Sequence, residues 1–164
     1  MHPEVTVLTT GGTIDKVYFD AKSTFQVGDS VVEELLRQAH VEATFEVVEV
    51  LRKDSLEINQ ADRHEIVQAV NACGSSAVVI THGTDTMADT AQVLQEAQTP
   101  GKTVVLTGAL SPARFAQSDA TFNVGMAFAA AQCLAPGVYI VMNGQVFVAG
   151  AVRKDTANNK FVRC

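Results

Sequence analysis

Two apolar runs in this sequence end in residues able to do chemistry. The first is Val7-Leu8-Thr9-Thr10-Gly11-Gly12-Thr13-Ile14, where a strand-like stretch breaks into two glycines and a threonine. Glycines let backbone amides come close to a ligand, and Thr13 puts a hydroxyl beside them. The second is Val79-Ile80-Thr81-His82-Gly83-Thr84-Asp85-Thr86-Met87, a strand-like stretch that gives way to a polar turn opening a helix. A helix cap accounts for Thr84 or Asp85 alone. It does not account for His82, Thr84, Asp85 and Thr86 crowded together at the carboxyl end of a strand, and chemistry is the better explanation.

Other chemistries fit less well. The glycines lack G-x-G-x-x-G spacing, and Gly101-Lys102-Thr103 has Glu96 where a phosphate-binding loop needs its upstream glycine. The four histidines, at 2, 40, 64 and 82, have no H-x-x-x-H spacing and no Cys or carboxylate partner at ligand intervals, so no metal or other cofactor is expected. His82 reads as structural, holding its turn by hydrogen bonds. There is no G-x-S-x-G elbow, and Cys73 lies in an amphipathic helix, where inert packing is expected. Arg114, after Pro112, reads as a surface loop charge.

These residues need a scaffold, and the pattern supplies one. Val5 to Thr10, Phe45 to Leu51, Ala77 to Thr81, Thr103 to Thr107 and Val138 to Met142 are short, nearly continuous apolar runs, as in strands buried on both faces. Helical stripes lie between them, at Val31, Val32, Leu35, Leu36 and Ala39, at Ile66, Val67, Val70 and Cys73, and at Val93, Leu94 and Ala97. Asn59 is placed to cap the second helix and Gly74 to end it, while Ser118 opens a fourth that Pro136-Gly137 ends. The alternation predicts an α/β fold: a three-layer, Rossmann-like (flavodoxin-like), mostly parallel sheet with helices on both faces, right-handed crossovers, and ligands at the carboxyl strand ends. The segment from Gly11 to Asp29 has no clean period and reads as a mobile covering loop. Near the end of the chain, Asn143-Gly144 between Val138 to Met142 and Gln145 to Ala149 predicts a β-hairpin.

Composition narrows the class. With 164 residues, 47% of them hydrophobic, one sizeable core and one domain are expected. The net charge of -6 disfavours nucleic acid or an anionic membrane as partner. The late basic residues Arg153, Lys154, Lys160 and Arg163 read equally as a solvated tail or a functional group. The odd cysteines, Cys73, Cys133 and Cys164, suggest reduced buried thiols, and the absence of a leader-like segment or an apolar run near ~18 residues predicts a cytoplasmic protein.

The motif T-G-G-T-I at Thr10 to Ile14, followed by H-G-T-D-T-M at His82 to Met87, resembles the two signatures of bacterial-type L-asparaginases. Asp54-Ser55-Leu56-Glu57 resembles that family's substrate-binding serine loop. Thr107-Gly108-Ala109-Leu110, Ser118-Asp119 and Phe122-Asn123 resemble its following strand and helix. The likeness runs along the whole chain but covers only the family's N-terminal domain.

The resemblance implies hydrolysis of L-asparagine to L-aspartate and ammonia through an acyl-threonine ester. Thr13 then matches the nucleophile, and Thr84, Asp85 and Lys154 match a relay that takes its proton, with the lysine kept partly neutral by desolvation or charged neighbours. Which threonine attacks first is left open. Implied substrate contacts are Gly12, Asp54, Ser55, Gly83, Thr84 and Asp85, with Ser55 on the carboxylate and Asp85 on the ammonium group. Backbone amides at Gly11-Gly12 and near Thr84 are expected to stabilise the oxyanion, a contribution of ~3 kcal/mol in other enzymes. Alternatives are an amino-acid binding or sensor module without turnover, or hydrolysis of glutamine or D-asparagine.

Three departures qualify the likeness. The family's loop tyrosine falls on Phe25, which has no hydroxyl, and Tyr18 on the same loop is the candidate replacement. Leu56 stands where the family often has a polar residue at the substrate's amino group. The smaller C-terminal domain, through which a neighbouring copy of the chain contributes an acidic residue, is expected to be missing, and a homodimer is expected to close the site.

Overall fold

Successive residues of the central strands point to opposite faces, so each apolar run feeds two cores at once. The computed structural model describes the backbone of residues 1–164 and every side chain except that of Lys22. Its elements are β1 (Val5–Gly11), β2 (Lys16–Phe19), β3 (Thr24–Val27), α1 (Val32–Gln38), β4 (Phe45–Lys53), α2 (Gln60–Ala72), β5 (Ala77–Thr81), α3 (Met87–Ala97), β6 (Thr103–Thr107), α4 (Ala120–Cys133), β7 (Gly137–Met142), β8 (Gln145–Val148), β9 (Val152–Asp155) and β10 (Lys160–Arg163). Leu8, Val78, Ile80, Val104, Leu106 and Ile140 pack with Ile66, Val70, Met87 and Leu94 of α2 and α3. Val7, Val79, Val105 and Val141 pack on the other face with Val32 and Leu36 of α1 and Val124, Ala127 and Phe128 of α4.

The main sheet has the order β4-β1-β5-β6-β7-β8, with β1, β4, β5, β6 and β7 parallel and β8 antiparallel to β7. This is the expected α/β architecture, and β7 and β8 form the expected hairpin around Asn143-Gly144, where both residues have positive φ. Asn59 caps α2 in a reciprocal capping box with Asp62. Chain direction across the sheet reverses between β1 and β5, the position where doubly wound sheets bind ligands.

One crossover departs from the right-handed expectation. The steps β5 to β6 and β6 to β7 run the same way across the sheet, yet α3 lies on one face and α4 on the other. Crossovers that step one way over opposite faces have opposite hands. The connections through α1, α2 and α3 share one hand, and the α4 connection is the exception, left-handed where the others follow the rule. Its effect is to bring the segment after β6 to the α1 side, beside the segment after β1.

Two further expectations are corrected. The stretch after Gly11 is an ordered antiparallel hairpin, β2 with β3, in which Tyr18 pairs with Phe25. It escaped the period test because Tyr18, Phe19 and Phe25 are all exposed, leaving no apolar alternation to see. The basic tail is a second hairpin, β9 with β10, seated on the α3 face through Val152 and Phe161. Of the cysteines, Cys73 is half-buried, but Cys133 and Cys164 are exposed, so only one behaves as a packed thiol. Among the described residues no helix is long and apolar enough to cross a membrane.

Candidate active site

The ends of β1, β4 and β5 meet backbone against backbone, and glycine is what permits it. Gly12 has φ of 87°, and a Cβ there would lie 2.4 Å from the Gly83 nitrogen. A Cβ on Gly83 would lie 2.5 Å from Ser55 Cβ and 2.8 Å from Ser55 Oγ. Real carbons do not approach so closely, so any side chain at either position would force the three strand ends apart. The Gly12 amide also donates to the Lys53 carbonyl at 2.9 Å, and the Thr86 hydroxyl to the Ser55 carbonyl at 2.8 Å. Gly12, Gly83 and Ser55 are thereby brought together, with half-buried Thr13 and buried Thr84 each one residue further along.

Lys154 joins this group from far along the chain. Its Nζ donates to Thr84 Oγ1 at 2.8 Å and to Asp85 Oδ1 at 2.7 Å. Only 12% of the lysine side chain is exposed, against 40% for Asp85, so the amine is held inside while the carboxylate faces outward. The hairpin β9 with β10 aims it: Phe161, paired with Lys154 across the strands, is buried in the core, and the Phe161 amide donates to Asn143 Oδ1 at 2.8 Å.

Asp54 closes the turn after β4 by accepting from the Leu56 amide and pairs with Lys16 at 2.7 Å, tying that turn to the β2–β3 hairpin. Partial burial pushes the Asp54 carboxyl up, but Lys16 and the Leu56 amide outweigh it and hold it below its ordinary value. A cleft of about 490 Å3 runs between hairpin and turn, lined by Lys16, Phe25, Gln26, Asp54, Leu56 and Glu57 among others. Tyr18 lies on the hairpin, 54% exposed, its ring edge-on to Phe25 with centroids 5.4 Å apart. Among the described residues the structure does not join Tyr18 to the Thr84, Asp85 and Lys154 group.

Residues that sequence reasoning missed support the site from behind. Asp15 is buried and accepts from the Val31 amide, and desolvation pushes its carboxyl up to about 6 against the lowering effect of that bond, Ser30 and Arg114. Arg114 is no idle surface charge: it donates to the Asp15 carbonyl at 3.0 Å and the Asp29 carbonyl at 2.8 Å, clamping both ends of the hairpin segment. His82 is buried, as a structural histidine should be, with Nδ1 2.6 Å from the Gly83 carbonyl and Nε2 2.8 Å from Thr90 Oγ1. Burial lowers its imidazole to about 4, so it is neutral at ordinary pH. Arg63 Nε in turn donates to Thr90 Oγ1 at 3.1 Å. Bonds of this kind run to backbone atoms or between distant helices and leave no spacing to read. Among the described residues no cluster of His, Cys, Asp and Glu is set to hold a metal.

The arrangement suits attack on an amide: two hydroxyls at the ends of neighbouring strands, one of them hydrogen-bonded to an amine that is itself paired with a carboxylate. A family model described as "Asparaginase, N-terminal" matches residues 4–161. A "Probable L-asparaginase periplasmic" of Haemophilus influenzae is 32% identical, covering 94% of this chain and 47% of that protein. One component of the glutamyl-tRNA(Gln) amidotransferase of Pyrococcus abyssi is 34% identical, covering 87% of this chain and 34% of that one. The solved structure of the thermostable L-asparaginase from Thermococcus kodakarensis superposes with a TM-score of 0.86 at 30% identity, covering 97% of this chain and 50% of that one. The chain thus spans about half or less of the length of these relatives.

Proposed function

The chain belongs to the asparaginase family, and on that premise we propose that it is an amidohydrolase converting L-asparagine to L-aspartate and ammonia through a threonine nucleophile. The observation that carries this reading is the single group made by Thr84, Asp85 and Lys154 beside the Gly12–Gly83 contact.

Thr13 Oγ1 attacks the side-chain amide carbon, its proton passes towards the Thr84–Lys154 pair, and the amide nitrogen leaves as ammonia after taking up a proton. Water then cleaves the acyl-threonine ester and releases aspartate. Gly12, Gly83 and Thr84 line the reacting end, Ser55 with Asp54 holds the carboxylate end, and Asp85 takes the ammonium group. Tyr18 supplies the hydroxyl that Phe25 lacks; the two are cross-strand partners with rings in contact, so the hydroxyl is displaced by one strand on the same hairpin. We extend the proposal to a two-fold homodimer, for which exposed Phe122 on α4 offers apolar surface, and to a cytoplasmic location, which suits three unpaired thiols.

The test is ammonia release from L-asparagine by purified protein, repeated with Thr13→Ala and Thr84→Ala. Activity at least a thousandfold above both variants supports the reading; a wild type no faster than the variants, yet binding aspartate, supports a binding module instead. The likeness to an amidotransferase component favours a second reading, in which glutamine is the preferred amide. Specificity constants for the two amino acids decide between them.

A further inference from the structure

The Gly83–Thr84 peptide unit stands at the centre of the site, and one side of it is tied to a buried chain of side chains. Arginine can only donate and a carbonyl can only accept, which sets the direction of every bond in that chain. Arg63 Nε–H donates to Thr90 Oγ1, leaving the Thr90 hydroxyl proton for His82 Nε2, and His82 Nδ1–H for the Gly83 carbonyl. Arg63, Thr90 and His82 come from α2, α3 and the end of β5, and all three are buried. Their polar atoms are mutually satisfied, so the chain has one low-energy arrangement.

No cis peptide is present, and in a trans unit the N–H points away from the carbonyl. With the Gly83 oxygen drawn inward to His82, the Thr84 N–H is turned to the opposite side. That N–H donates to no acceptor among the described residues, although Thr84 is only 6% exposed. A buried amide without an acceptor is rare, and one beside a candidate nucleophile is available to a ligand.

Resting on the amidohydrolase reading, we propose that His82 is a positioning residue: it holds the Gly83 carbonyl and so aims the Thr84 N–H at the oxygen that becomes negative when the amide carbon is attacked. Arg63 and Thr90 fix the histidine tautomer that does this. The donor acts on charge that develops only during the reaction, so its loss lowers kcat and leaves KM nearly unchanged.

Two variants separate this from a packing role. Asparagine at 82 places its NH2 where Nδ1 stood and keeps the bond to the Gly83 carbonyl; glutamine reaches the Nε2 position and keeps only the Thr90 partner. The expected result for ammonia release from L-asparagine is His82→Asn within about tenfold of wild-type kcat and His82→Gln down about a hundredfold, the range for loss of one oxyanion donor, both with KM within about threefold. Glutamine equal to or better than asparagine, or KM rising in step with the loss, overturns the proposal. If position 82 does not tolerate change in thermal melts, Thr90→Val gives the same reading: about tenfold lower kcat at constant KM supports it, and unchanged kcat overturns it. A wild type that binds aspartate without turnover fails the functional reading instead. The positioning claim is then read from the amide resonance of Thr84 during aspartate titration: a shift in wild type and His82→Asn but not in His82→Gln supports it, and an unmoved resonance in wild type overturns it.

Discussion

Lys154 Nζ lies 2.8 Å from Thr84 Oγ1 across 70 residues of sequence, and the same amine lies 2.7 Å from Asp85 Oδ1. The contact joins the end of a central strand to a hairpin that reaches the site only because Phe161 is buried under it. One ammonium thus orients a hydroxyl and neutralises the carboxylate next to it.

Replacing Lys154 by arginine separates these two tasks. A guanidinium keeps the charge beside Asp85 but stays protonated at any working pH and cannot exchange a proton with Thr84. The expected outcome is a KM within a few-fold of wild type and a kcat lower by about a hundredfold or more. Steady-state ammonia release checks it.

Gly83→Ala and Gly12→Ala test the contact between strand ends. The new methyl meets Ser55 Cβ at 2.5 Å in the first case and the Gly83 nitrogen at 2.4 Å in the second, where the φ of 87° adds strain. Each is expected to lower stability by about 2 kcal/mol or more and to reduce turnover further than stability alone explains. Urea titration beside initial rates measures both.

Much of this scaffold was legible because its cause is local. Val78, Val79 and Ile80 must be buried on both faces, Asn143-Gly144 must turn, and Asn59 must cap, and each leaves a pattern in a few neighbouring residues. The site was legible in the clustering at 13 and 82 to 86, but the role of Lys154 came from resemblance, since nothing near it marks a strand that docks through Phe161. The β2–β3 hairpin has no buried face to impose a period. Arg114 acts on backbone carbonyls and Arg63 acts through Thr90, so neither carries a motif. The hand of the α4 crossover is a property of the whole sheet.

Asp15 and His82 oppose each other in the pH dependence of stability. The folded protein keeps the Asp15 proton up to about 6 against an ordinary 3.8, so it binds the extra proton in that window and stability falls as pH rises through it. His82 stays neutral down to about 4 against an ordinary 6.5, so the unfolded chain binds the extra proton and stability falls as pH drops through that window. Each effect is about 3 kcal/mol from shifts of this size, and they nearly cancel. Wild-type unfolding free energy from urea titration is expected to be nearly flat between about pH 4 and 6. Asp15→Asn should grow more stable as pH rises, and His82→Asn less stable. Parallel curves for the three proteins would contradict this.

Arg114→Ala removes the clamp on the hairpin ends. Charge-assisted bonds of this type contribute about 1.5–3 kcal/mol, and losing two should raise local opening of β2 and β3 well before the sheet is affected. Hydrogen exchange in Lys16–Phe19 and Thr24–Val27 is expected to quicken by at least about tenfold, with β5 and β6 unchanged. Equal protection in the variant and wild type would contradict the clamp.

The most direct test of the account is a double-mutant cycle on kcat/KM for L-asparagine, using Thr84→Val, Lys154→Met and the pair. Residues that work as one unit lose the same function once. The account predicts that each single variant loses about a thousandfold or more and that the double variant is no slower than the slower single. Losses that multiply in the double variant, or a Lys154→Met enzyme close to wild type, would contradict it.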